Sequence, residues 1–375
     1  MAIIIVAGTT AELIKLAPLM RALREEGEGY RLWNTSQHVD GFRATLEALD
    51  LPQPDEHFIE PSKQTPLVSS AQVPGWMLAI LWHALRHSRR LRRQLRSGPG
   101  QPLVVVHGDT FTTVLGALIG RLLRTRVAHV EAGMRSGNLW HPLPEELNRR
   151  LVARLAHLHF APSEREVAHL RSERLVRGEV VDTGANTVVD ALRLVMETGA
   201  PPERLPEVFG LVTLHRFEML RNAAVFTKTL EVLEEASRTV PLVMPAGNTE
   251  RRRIEELGLT RLFGERFQLI DKQPYVAFAA LLGRASFVVT DSGGLQQECA
   301  VIGKPCAVQR ETTEAQQGLG ENVVLTGLDM QVLRDFLAHW EDYRRPSRLD
   351  QQHPTRVILD RLRREGHLAN AFDPS

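Results

Sequence analysis

Cysteine is nearly absent from this chain, with two thiols, Cys299 and Cys306, in 375 residues. Two cannot build a disulfide framework or a cysteine-rich zinc cluster, and such sparse usage fits a reducing compartment such as the cytoplasm. Charge of one sign is missing too: 46 lysines and arginines stand against 45 aspartates and glutamates, a formal net charge of +1. No global field draws such a protein to nucleic acid or to an anionic membrane, so any anion must be held by a local site. No run reaches the roughly 18 uncharged apolar residues of a spanning helix. The opening MAIIIVAGTT lacks a basic stretch ahead of a cleavable apolar core and reads as a first strand. No histidine and acid cluster has metal-ligand spacing, so neither a metal nor another cofactor is expected. Solenoid repeats and low-complexity tracts are also lacking.

What is present is an ordinary globular composition, 43% hydrophobic and 24% charged, at a length that suggests two domains. Short β-branched runs alternate with helix-period segments throughout, as in a parallel sheet covered on both faces. The first series of strands is Ala2 to Val6, Arg31 to Thr35, Leu103 to His107, Arg126 to Val130, His157 to Ala161 and Glu179 to Asp182. The stretch ETGAPPERLPEVFG, residues 197–210, interrupts it with three prolines and two glycines. A second series follows at Leu211 to Leu214, Pro241 to Met244, Phe267 to Ile270, Phe287 to Thr290 and Cys306 to Gln309. The expected fold class is α/β: two facing Rossmann-like, doubly wound domains, residues 1–198 and 210–354, with the active site in the cleft between them. The final helical segment and tail, 355–375, are compatible with either domain. Val73 to Leu95 carries an apolar face that reads as core or as a subunit interface, core being the default.

Ligands of such sheets sit beyond the strands' carboxyl ends, where loops lead into helices. AGTTAELIK, residues 7–15, opens a helix containing Lys15 with one glycine, Gly8, and is not the GxGxxG dinucleotide fingerprint. Its backbone N–H groups suit an anion, or the turn is a plain one. HGDTFTT, residues 107–113, puts Asp109 at a strand end, where Asp-Thr also serves as a helix cap. HVEAGMRSG places Glu131 one step past the next strand, and PLPEELNRR starts a helix with Glu145 and Glu146. An acid just beyond a buried strand is costly unless paired or functional, whereas acids in a helix's first turn complement its dipole. In the second half, LVTLHRFEM delivers His215 past a strand. SFVVTDSGGLQQE is the strongest local signal: Ser292, Gly293 and Gly294 can present hydroxyl and N–H donors to a diphosphate, and Glu298 lies where it could accept from a ribose.

Read together, these segments resemble the non-hydrolysing UDP-N-acetylglucosamine 2-epimerases, whose two-domain fold is also called GT-B. The likeness also takes in SQH at 36–38, HFAPSE at 159–164 and GKP at 303–305, and it runs along nearly the whole chain. It implies catalytic acid-base work for Asp109, Glu131, Glu145 and His215. It implies substrate and nucleotide binding by Lys15, Ser292, Gly293, Gly294 and Glu298, joined by Gln37, His38 and Arg135, and it suggests a cytoplasmic homodimer. The implied reaction inverts C2 of the sugar: the nucleoside diphosphate leaves C1 as a proton leaves C2, and re-addition returns a proton on the opposite face. Burial is expected to raise the three carboxyl pKa values toward neutrality. The chain departs from the family where GTRPE reads Gly8-Thr9-Thr10-Ala11-Glu12 and where HRREN reads His215-Arg216-Phe217-Glu218-Met219. TERPE reads Thr313-Glu314-Ala315-Gln316-Gln317, and Pro245-Ala246-Gly247-Asn248 stands where a histidine is usual. Three arginines are thereby replaced. The competing readings are a GT-B glycosyltransferase or hydrolase acting on a related nucleotide-sugar, and a non-catalytic nucleotide-sugar-binding protein.

Overall fold

The computed structural model describes residues 3–38, 41–63, 70–98, 100–137, 143–198, 205–313 and 315–368. Ala2, the 138–142 part of the Glu131–Glu145 segment, Glu314, residues 199–204 of the proline-rich stretch and the tail beyond 368 lie outside them. The first sheet contains β1 (Ile3–Ala7), β2 (Tyr30–Asn34), β3 (Glu56–His57), β4 (Leu103–His107), β5 (Arg126–Val130), β6 (Leu158–Ala161) and β7 (Glu179–Asp182). All pairings are parallel, in the order β3-β2-β1-β4-β5-β6-β7. The second contains β8 (Gly210–Thr213), β9 (Leu242–Ala246), β10 (Phe267–Asp271), β11 (Phe287–Thr290), β12 (Cys306–Val308) and β13 (Val323–Leu325). Its order is β10-β9-β8-β11-β12-β13, again parallel.

Both sheets begin at a central strand, build outward on one side, return, and continue on the other. That order sends crossover helices to opposite faces and opens a crevice at the carboxyl ends of the two strands where the direction reverses. These are β1 and β4 in the first sheet, β8 and β11 in the second. Because both faces are covered, the strands read as continuous apolar runs such as IIIVA and LVVVH, buried throughout. The helix Phe111–Leu122 lies so close to the first sheet that a Cβ on Gly116 would come 2.6 Å from Val106 and one on Gly120 equally close to Val127. Glycine at these two positions is what sets the helix at that depth.

The chain divides into two compact units, Met1–Ala191 with Gln352–Ser375, and Leu192–Gln351. The helix Val188–Thr198 spans the division. The closing helix, Pro354–Arg364, belongs to the first unit, where the Thr355 N–H donates to Asp190 Oδ2 at 2.7 Å and Glu365 meets Arg126 at 2.6 Å. Two strands escape the sequence pattern, β3 and β13. Each is an edge strand of two or three residues, too short to show a period. None of the described helices is long and apolar enough to cross a membrane.

Three histidines lie buried in the first sheet: His107 in β4, His129 in β5, and His159 in β6 as the register partner of His129. Burial pushes His107 down to about 4 and His129 down to about 3, against an ordinary value of 6.5. They are neutral in the native protein at pH 7. In the unfolded chain they bind protons below pH 6.5, so stability is full above that pH and drains away as pH falls toward the folded values. At pH 5 each should cost about 2 kcal/mol. Thermal melts followed by circular dichroism should show Tm falling from about pH 6.5 downward, and a Tm flat to pH 5 would disprove the neutral burial of these rings.

Candidate active site

In the first unit the loop after β1 is braced from inside. A Cβ on Gly8 would sit 2.0 Å from Thr35 Oγ1 and 2.3 Å from Thr112 Oγ1, so only glycine fits. The Gly8 and Thr9 N–H groups both donate to Glu12 Oε2 at 2.9 Å, closing a capping box on the helix Thr10–Glu25. They are thus engaged by a buried internal carboxylate, whose pKa burial raises despite four hydrogen bonds. Gln37 Oε1 accepts from the Thr112 N–H at 3.0 Å and from its hydroxyl at 2.9 Å, while the His38 N–H donates to the Gly8 carbonyl at 2.7 Å. Burial lowers the pKa of His38.

Glu131 follows β5 in a left-handed conformation, φ 63°, which costs a non-glycine residue roughly 1–2 kcal/mol and turns its side chain off the strand. Its Oε2 takes Lys15 Nζ at 2.7 Å and lies 3.1 Å from His107 Nε2. Asn186 adds a further hydrogen bond. Burial alone would raise the pKa of this carboxyl. Lys15 and His107 outweigh it and hold the group down at about 2. The expectation of a value raised toward neutrality is therefore corrected for Glu131: a buried carboxylate with a cation beside it stays ionised. It is ionised at neutral pH.

Asp109 stands at the end of β4, its Oδ2 held by Arg149 at 2.6 Å through Nη2 and 2.9 Å through Nε. Asn148 Nδ2 fixes the Asp109 carbonyl at 2.9 Å. Glu145 and Glu146 open the helix Glu145–Leu155, and the structure separates their tasks. Glu146 is fully buried and accepts from the Ser136 N–H at 3.0 Å and from Arg150 at 3.0 Å, tying the Glu131 loop to the helix. Glu145 Oε2 is buried and, among the described residues, has no hydrogen-bond partner. A buried oxygen left open in this way costs about 1–3 kcal/mol unless a ligand supplies a donor. Arg135 spends its Nε on Glu173 at 2.7 Å and its Nη1 on the Met134 carbonyl at 2.7 Å.

In the second unit the organising group is Asp291, which the sequence reading passed over. It is buried at the end of β11 and accepts the N–H groups of His215 and Arg216, each at 2.9 Å, with His215 Nδ1 3.4 Å away. Burial raises the pKa of Asp291, and His215 with the two N–H groups opposes that rise. This pins the loop after β8 to the start of the next helix and leaves the His215 ring half exposed. Ser292 caps the helix Gly293–Ile302. A Cβ on Gly294 would meet nothing closer than Ser292 Oγ at 3.8 Å, so the first turn, with its N–H groups unused by the helix, is open to an incoming anion. Glu298, one turn in, accepts from the buried Tyr275 hydroxyl at 3.3 Å.

A family model described as UDP-N-acetylglucosamine 2-epimerase matches residues 97–351. The chain belongs to the UDP-N-acetylglucosamine 2-epimerase family. It is 33% identical over 350 residues to a probable UDP-N-acetylglucosamine 2-epimerase of Ralstonia solanacearum, covering 89% of this chain and 88% of that one. With the UDP-N-acetylglucosamine 2-epimerase of Escherichia coli K12 the identity is 30% over 350 residues, 88% of each chain. The crystal structure of the Neisseria meningitidis enzyme bound to UDP-GlcNAc superposes with a TM-score of 0.75 at 26% identity, over 96% of this chain and 99% of that one. Membership places the chain among the isomerases, on the GT-B-like fold. His107, Asn186 and Asp291 went unnoticed because what marks them is a contact with a residue 24, 55 or 76 positions away in the chain.

Lys15→Met should leave Glu131 without its strongest partner and raise its pKa from about 2 toward the ordinary 4.5. The acid limb of the pH–rate profile, or carboxyl-carbon NMR of labelled glutamate, would show the shift. An unmoved titration would mean that Lys15 does not hold Glu131 ionised.

Proposed function

We propose that this protein interconverts UDP-N-acetylglucosamine and UDP-N-acetylmannosamine by elimination and re-addition of UDP. The hydrogen at C2 of a glycosidically linked sugar is not adjacent to a carbonyl, so its direct removal as an isolated step is remote in energy. Elimination avoids that barrier: the C2–H electrons form a C1–C2 double bond as the C1–O bond to the diphosphate breaks, giving a glycal and UDP. Re-addition reverses both changes with the proton delivered to the other face of C2. Two faces require two proton carriers.

The observation that carries this reading is Glu131, a carboxylate kept ionised inside the protein by Lys15 and set in a strained conformation at a strand end. We assign it to removal of the C2 proton. Asp109 and Glu145, from the neighbouring strand end and helix start, are assigned to the opposite face, Glu145 because its buried Oε2 is open to a donor. His215, half exposed and oriented by Asp291, is assigned to the departing diphosphate, and Ser292, Gly293 and Gly294 to retaining UDP between the two half-reactions. Lys15 acts through Glu131; Gln37, His38 and Arg135 shape the loops around it, and Glu298 is left for the ribose. Where the family's HRREN arginine is replaced by Phe217, the Arg221 guanidinium lies 5.1 Å from the Phe217 ring centre and supplies a cation one turn later. We assign the enzyme to the cytoplasm as a homodimer. On the helix Val73–Arg86, Trp76, Ile80 and Ala84 are buried, while Leu78, Trp82 and Leu85 form an exposed apolar stripe suited to a second copy.

Proton NMR of the protein with UDP-N-acetylglucosamine in D2O, without acceptor or metal, should show the manno epimer carrying deuterium at C2. Glu131→Gln should lower that rate by at least about 1,000-fold with the fold intact. Substrate left untouched by a folded, UDP-binding protein would overturn the proposal and point to transfer onto an acceptor. Trp82→Arg should convert the dimer to monomer in sedimentation experiments; a wild-type monomer would remove the stripe from consideration.

A further inference from the structure

At the opposite end of the first sheet from Asp109 and Glu131 lies an open surface pocket of about 330 Å³, lined by Arg121, Arg124, Thr125, Arg126 and His157, with Arg121 and Arg124 exposed. Arg126 is the first residue of β5, Glu131 follows its last, and His157 immediately precedes β6. Three guanidinium groups share this space. Arg126 is paired with Glu365 at 2.6 Å, whereas among the described residues no carboxylate pairs with Arg121 or Arg124.

Basic residues near a helix end commonly answer its free carbonyls. Here that task falls to Arg92, whose Nη2 donates to the Leu122 carbonyl at 3.3 Å, and neither the Arg121 nor the Arg124 side chain donates to a carbonyl among the described residues. Arg124 occupies the position just past the helix cap Leu123 with φ 57°, a site where glycine is free of strain and arginine costs about 1 kcal/mol.

His157 supplies a second, independent observation. The Val127 N–H donates to its Nδ1 at 3.1 Å, so Nδ1 is the acceptor and the ring proton sits on Nε2. Arg121 Nη1 lies 2.5 Å from that Nε2, and it too is a donor. Burial first, then Arg121 and Arg126, lower the pKa of the ring, which favours its neutral form. Two donors converge on one spot with no acceptor between them. An anionic oxygen placed there would draw them apart and accept from both.

We propose that this pocket binds a small phosphate-bearing polyanion, held by the Arg121 and Arg124 guanidinium groups and His157 Nε2–H, with Arg126 as flanking cation. The volume is that of roughly ten waters, room for more than orthophosphate. The site stands apart from the catalytic loops and does not depend on the epimerase reading.

The test is calorimetric titration of inorganic pyrophosphate into the full-length protein at fixed ionic strength, with UDP saturating the helix start at Ser292. One further site should appear, at least tenfold weaker in Arg121→Gln/Arg124→Gly, while UDP affinity and Tm hold. Glycine at 124 relieves the left-handed strain, so the variant keeps its fold. Should UDP fail to bind, pyrophosphate is titrated directly, and the same tenfold loss still decides. Absence of binding to the unaltered protein, or an affinity the double variant leaves unchanged, overturns the proposal.

Discussion

Everything in this protein hangs on one topological constraint, the reversal of strand order beside the first strand of each sheet. Crossovers on opposite sides of β1 and of β8 carry their helices to opposite faces, and at the reversal no helix closes the carboxyl end of the sheet. The loops that follow β1, β4 and β5 in one unit, and β8 and β11 in the other, are therefore the places where polar side chains can meet a ligand while their backbone stays anchored in an apolar sheet. The deep seating of the helix Phe111–Leu122, allowed by Gly116 and Gly120, draws the β2 and β4 loops together through the Thr35, Thr112 and Gln37 contacts.

Burying acids at such an edge is unfavourable unless each is answered, and the carboxylates here are answered in different ways. Glu12, Glu146 and Asp291 accept backbone N–H groups and hold loops in place. Glu131 is answered by a cation and a neutral histidine, which keeps it ionised without occupying it with backbone. Glu145 retains an oxygen with no partner among the described residues. Residues of one chemical type are thus divided between scaffold and chemistry by their partners. The same logic marks the far end of the first sheet, where among the described residues Arg121 and Arg124 meet no carboxylate.

Much of this was legible in the residues. Continuous apolar runs bounded by helix-period segments identify eleven strands, and the acids and glycines just beyond them mark the loops that matter. Edge strands β3 and β13 were not legible, since two or three residues carry no periodicity. Nor were the partners: Glu145 and Glu146 are adjacent and identical in the sequence, and only the packing of the 131–137 loop against their helix makes one a brace and leaves the other open.

The sequence by itself determined the two parallel α/β sheets, the position of the polar loops at their strand ends and the family to which the chain belongs, because these follow from local periodicity and motif order. The tertiary structure decided the protonation of Glu131, the engagement of the Gly8 and Thr9 N–H groups by Glu12, the pinning of His215 by Asp291 and the place of the last helix in the first unit. Each of these depends on burial and on which charge lies within a few ångströms. Those distances are fixed by chain folding, not by neighbours in the sequence.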